Sequence, residues 1–276
     1  MNKQLIAQLI FIFLITQAIG LWTANFLIQE NIKTTIVTDN PDDAENGVAL
    51  IIWIIFTSAV LIVLIKFAPD WLLGIILKIF ESMAIFGTTI IVLLPTRVLD
   101  EIILGIATLL VIVRIIFSKN IWLRNISSTI AAAGAGALIG VSLGIFPVLL
   151  FIVLLSVYDY IAVFKTKHMV TLAKGVTKKN LSFTYALPTK EHQFELGTGD
   201  MVIPLAFAAS VLGATSKTIP EPYNFIPSIA ILIASLAGLI ITLNYASLKT
   251  GRALPALPLQ TILMLIAFGL AKLAGF

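Results

Sequence analysis

The sequence predicts an all-α polytopic membrane protein of nine transmembrane helices, with the amino terminus cytoplasmic and the carboxyl terminus outside. Three observations carry this reading. Hydrophobic residues fill 59% of the 276 positions and charged residues 12%, more apolar surface than one water-soluble core of this size can hide. The apolar residues gather into runs of roughly 17 to 25, the length that crosses the hydrocarbon of a bilayer. Basic residues fall on alternate connections between those runs, as the positive-inside rule requires.

The nine runs are Leu5 to Leu27, Val48 to Ile65, Trp71 to Leu94, Ile102 to Phe117, Ile126 to Ile145, Pro147 to Phe164, Gly197 to Thr215, Phe225 to Tyr245 and Ala253 to Ala271. The first is too long for a signal peptide and has no A-x-A site after it, so it reads as a retained helix. The fourth is short unless Val98 and Leu99 join it, and only Phe146 separates the fifth from the sixth. The chain is thus expected to form one membrane domain over residues 1–276. Helices one to six occupy 1–164, a cytoplasmic loop 165–196, and helices seven to nine 197–276.

With the amino terminus inside, the cytoplasmic segments carry twelve basic residues, from Lys3 through the Lys165–Lys190 loop to Arg252. The outside loops carry three, Lys33, Arg97 and Lys217. This asymmetry accounts for the net charge of +4 as an orientation signal, so no nucleic-acid partner is expected. There is no cysteine, which excludes disulfides and thiolate chemistry. The two histidines, His168 and His192, lie in the inside loop without an H-E-x-x-H pattern, so no metal or other cofactor is implied. Gly140-Val141-Ser142-Leu143-Gly144 matches a serine-nucleophile pattern, but no span holds a histidine base. Gly136, Gly140 and Gly144 read instead as a helix-packing stripe. The sequon beginning at Asn125 falls inside and reads as accidental.

Five ionisable residues lie in or at the edge of spans. Lys78 and Glu81, three apart, share a helix face and are expected to pair; Arg114 is expected to snorkel to the headgroups. Asp159 and Asp200 have no basic residue at helical spacing in their own runs. Asp159 lies six residues before Lys165, roughly 9 Å from the cytoplasmic end at ~1.5 Å per residue, and Asp200 opens the next span from the same side. Two carboxyls at matched depth in low dielectric cannot both ionise cheaply, so the pair shares a proton. That state suits aspartyl hydrolysis of a peptide bond, and it equally suits a proton relay in a transporter.

The neighbouring residues separate the two. They are Tyr158-Asp159 in the sixth run, Gly197-Thr198-Gly199-Asp200 opening the seventh, and Pro255-Ala256-Leu257 opening the ninth. This ordered set resembles the YD, GxGD and PAL motifs of the presenilin and signal peptide peptidase family of intramembrane aspartyl proteases, and is most similar to an archaeal-type presenilin homologue. GxGD alone also occurs in prepilin peptidases. The resemblance implies that Asp159 and Asp200 are catalytic, and that Tyr158, Gly197, Gly199, Pro255, Ala256 and Leu257 shape the active site and bind substrate. It further implies single-span membrane proteins or peptides as substrates, lipid as surroundings and the cell membrane of a prokaryote as location. Accessory subunits and homo-oligomers are left open. Presenilins keep the amino terminus and this loop in the cytoplasm, in accord with the charge count. The inside loop is shorter here than in animal presenilins.

Backbone chemistry adds two expectations. Pro204 cannot donate to the carbonyl of Asp200, so that helix start is loosened; Pro255 and Pro258 do the same for the ninth helix. Leu181 to Leu187 alternates apolar with small or polar residues, and Gln193 to Leu196 follows suit, so each is expected to form a strand, one of them pairing with unwound substrate.

Overall fold

A computed structural model describes residues 3–165, 183–188, 193–248 and 255–276. Among them are nine α-helices: α1 (Lys3–Gln29), α2 (Ala44–Phe67), α3 (Asp70–Leu93), α4 (Asp100–Ile116), α5 (Ile121–Ser142), α6 (Ile145–Phe164), α7 (Gly199–Thr215), α8 (Ile226–Leu248) and α9 (Leu257–Leu273). Between α6 and α7 lie β1 (Thr184–Pro188) and β2 (Gln193–Gly197), an antiparallel pair. The all-α expectation is therefore corrected to a helical fold carrying one small sheet. Both expected strands exist, and they bond to each other. His168 and His192, and the start of the ninth run at Ala253, fall outside the described residues.

Six helices (α1, α2, α3, α5, α6 and α8) are long and apolar enough to cross a membrane. The other three have 17 residues each, about 25 Å at 1.5 Å per residue, and need flanking residues to complete a span. Helix α7 begins at Gly199 because Gly197 ends β2. It is buried on every side, as a helix apolar all round must be. Helix α5 packs against α1, α3 and α7, while α9 packs on α8 and α6 and α2 rests on α6. Large apolar side chains such as Phe11, Trp53, Phe56, Ile112 and Ile233 point outward around the bundle, a surface suited to lipid and not to water.

Glycine sets the α5–α7 distance. A Cβ at Gly140 would collide with the Ala206 carbonyl, and one at Gly136 would meet Leu205. Gly144 does not extend this stripe: α5 ends at Ser142, and Gly144 caps α6 beside Asp42 of the first loop. The neighbour that does pack closely is Gly134, against Thr88 of α3.

The charged residues between α3 and α4 also correct the expectation. Glu81 pairs with Arg114 at 3.0 Å, not with Lys78, which is exposed. Arg114 is 3% exposed and also donates to the Ser118 carbonyl at 2.6 Å, so it is held inside the bundle and does not snorkel. Removing one member leaves a buried charge without its counter-ion, which costs about 3–5 kcal/mol, whereas an apolar pair of similar volume is tolerated. Glu81→Leu is therefore expected to lower the thermal unfolding midpoint in detergent sharply, and adding Arg114→Met to restore most of it. Equal midpoints for the single and double variants would contradict this.

Candidate active site

Asp159 projects inward from α6 because its face of the helix is the buried one: Leu155, Asp159 and Ala162, spaced four and three apart, are all buried. Asp159 is 8% exposed. Tyr158 is half-buried and packs against the main apolar core.

Asp200 occupies the first turn of α7, immediately after the sheet. The joint is held by Thr198, whose N–H and Oγ1 both donate to the Phe183 carbonyl at 3.1 Å. A Cβ at Gly197 would lie 3.6 Å from Asp200 Oδ2, and one at Gly199 would meet nothing within 4 Å. Neither glycine is therefore crowded by a neighbouring helix among the described residues. Helices α6 and α7 pack together, and the two carboxyls feel each other's charge across that interface.

The start of α9 completes the arrangement. The first N–H groups of a helix have no partner inside it, and Pro258 has no N–H at all. The free donor, the Leu257 N–H, is given to the Asp159 carboxyl. Pro255 and Ala256 lead into this turn half-buried, with Ala256 as its cap and packed on the core. Pro204 lies inside α7, as the sequence indicated. The carbonyl it leaves on Asp200 meets Nε2 of Gln260, a residue that sequence reasoning passed over.

The sheet sits against the site with one closed and one open edge. Thr198 bonds Phe183, so the alternation of an antiparallel ladder makes Tyr185–Leu196 and Leu187–Phe194 the bonded pairs. Thr184, Ala186 and Pro188 then face outward on β1, and side chains cover all three. Arg124 donates to the Thr184 carbonyl at 3.1 Å, Asn125 exchanges bonds of 2.8 and 2.9 Å with Ala186, and Gln8 donates to the Pro188 carbonyl at 3.2 Å. On β2 the outward residues are Gln193, Glu195 and Gly197, whose main chain has no partner among the described residues. Arg124 fastens β2 as well, through an ion pair with Glu195. Burial pushes the Tyr185 phenol up to about 12, so it stays protonated and donates to the Ser128 carbonyl at 3.1 Å. A cavity of about 670 Å³ lies behind β1 between α1 and α5, and neither carboxyl lines it.

A family model described as signal-peptide peptidase, presenilin aspartyl protease matches residues 10–275. The chain belongs to that family. It is accordingly an intramembrane aspartyl protease and a multi-pass integral membrane protein. Its fold is shared by two solved structures of a presenilin family intramembrane aspartate protease, each 21% identical in sequence. The C222 crystal form aligns over 95% of both chains with a TM-score of 0.66, and the P2 form over 97% of both with 0.68. Comparison with curated proteins finds no match. The protease carries all three motifs on elements that converge on the two aspartates: Asp159 on α6, Asp200 at the head of α7 and Leu257 at the head of α9.

Proposed function

We propose that Asp159 and Asp200 are the catalytic dyad, and that they hydrolyse peptide bonds within or near the transmembrane segments of single-span membrane proteins. The observation that carries this is the placement of both aspartates on helices that pack together, Asp159 on the buried face of α6 and Asp200 in the first turn of α7, with the Leu257 N–H on Asp159. In the shared-proton state the ionised carboxyl takes a proton from water, whose oxygen attacks the scissile carbonyl carbon. The protonated carboxyl donates to the carbonyl oxygen, and collapse of the tetrahedral diol breaks the C–N bond as the departing nitrogen gains a proton. Either aspartate can begin as the base, because the proton belongs to the pair.

A peptide bond inside a membrane helix is shielded and already hydrogen-bonded, so substrate unwinds before cleavage. Its freed main-chain groups need partners, and the open edge of β2 offers Glu195 and Gly197 directly before Asp200. Substrate is therefore held as an added strand that runs past the dyad.

The test is cleavage of a purified single-span substrate by the purified protein in detergent, alongside proton uptake into sealed vesicles. Cleavage supports the reading. Proton transport without cleavage would assign the same carboxyls to a transporter.

The amino terminus and the segment carrying Lys178 face the cytoplasm in this proposal, and the carboxyl terminus and Asp42 face outside, on the basic asymmetry. Reporter fusions at those four points are expected to give that pattern; the reverse would invert the active-site opening.

A further inference from the structure

Pro204 lies one turn beyond Asp200 and has no N–H, so the Asp200 carbonyl lacks the donor that closes a helical turn. At membrane depth an unpaired carbonyl is costly and calls for a substitute. Gln260 provides one from another helix. Its Nε2 lies 3.4 Å from the Asp200 oxygen and 3.3 Å from Ser235 Oγ, so the two amide hydrogens have separate acceptors. Gln260 and Ser235 are both fully buried. Gly238, one turn after Ser235 on α8, lets α9 settle close: a Cβ there would come 3.0 Å from the Gln260 Cα.

Gln260 follows Leu257 by three residues, which puts both on one face of the first turn of α9. That single turn grips both aspartates. The Leu257 main chain bonds the Asp159 side chain, and the Gln260 side chain bonds the Asp200 main chain.

We propose that Gln260 is a positioning residue for Asp200: it stands in for the donor missing at Pro204 and sets, from α9, where Asp200 sits against Asp159. This rests on the reading of the two aspartates as the catalytic dyad. Ala at position 204 restores a backbone N–H within reach of the Asp200 carbonyl, so the need for Gln260 should disappear in that background. A residue that merely fills space would be missed equally in both.

The experiment is a cycle of wild type, Gln260→Met, Pro204→Ala and the double variant, with cleavage kinetics and thermal unfolding measured on all four. Gln260→Met is expected to lower kcat about tenfold with KM unchanged, a loss of about 1.4 kcal/mol that matches one buried hydrogen bond. In the Pro204→Ala background the same change should cost less than about threefold, and the drop in unfolding midpoint should shrink in parallel. Equal losses of kcat in both backgrounds, or no loss in wild type, overturn the proposal. If wild type fails to cleave, the dyad reading has failed; the unfolding cycle then decides on its own, and equal midpoint shifts in both backgrounds overturn the substitution of Gln260 for the missing donor.

Discussion

Asp159→Asn and Asp200→Asn are each expected to reduce turnover of a single-span substrate by about 10³-fold or more, the upper part of what a positioned acid–base group contributes. Asparagine keeps the volume and planarity of the side chain but neither takes a proton from water nor shares one with its neighbour. With one carboxyl replaced, the remaining aspartate can act as base or as acid but not in concert with a partner. Both variants should insert and fold, because the amide can still accept the Leu257 N–H at position 159, and at either position it matches the size of a neutral, protonated carboxyl and adds no buried charge. Unfolding midpoints in detergent close to wild type, measured beside the rates, separate lost chemistry from lost structure. The wild-type rate should also pass through a maximum with pH, since only the singly protonated pair is competent. A single variant that keeps more than a tenth of wild-type turnover would remove the shared-proton mechanism.

The nine apolar runs and both strands were legible because each depends on periodicity along one short segment. Pairing between helices was not. Glu81 was assigned to Lys78 by the i, i+3 rule, yet its partner Arg114 comes from α4, 33 residues away. Arg124 and Asn125 read as an inside charge and an accidental sequon, because the fifth run was started at Ile126. The helix begins at Ile121 with Asn120 as its cap, which places both residues inside the first turns of α5, where they reach β1. The orphan carbonyl of Asp200 could be read from Pro204, but nothing local to Gln260 marks it as the partner. Gly197 and Gly199 were placed together at a helix start because glycine spacing does not distinguish the end of a strand from the head of a helix. In each case the missing information is a contact between distant segments.

The open edge of β2 makes the second large effect specific to one residue. Phe194 belongs to a bonded pair with Leu187, so Phe194→Pro breaks the sheet itself and should cost stability along with all activity. Glu195 faces the other way, and its N–H has no partner among the described residues, which leaves it as the donor for an added strand. Glu195→Pro therefore deletes that donor while the β1–β2 ladder survives, since proline is tolerated on an edge strand with its nitrogen facing outward. The same change removes the carboxylate that Arg124 holds, so Glu195→Ala is the matched control: it loses the ion pair but keeps the N–H. Relative to that control, Glu195→Pro should cleave a single-span substrate about tenfold more slowly, the size of one lost hydrogen bond with its acceptor left unpaired. A short extended peptide carrying the same scissile bond needs no unwinding and fewer main-chain partners, so its rate should fall by less than about threefold. Equal rates for Glu195→Pro and Glu195→Ala on the membrane substrate would rule out strand addition at β2, leaving the sheet as a brace that fixes the head of α7 through Thr198 and Arg124.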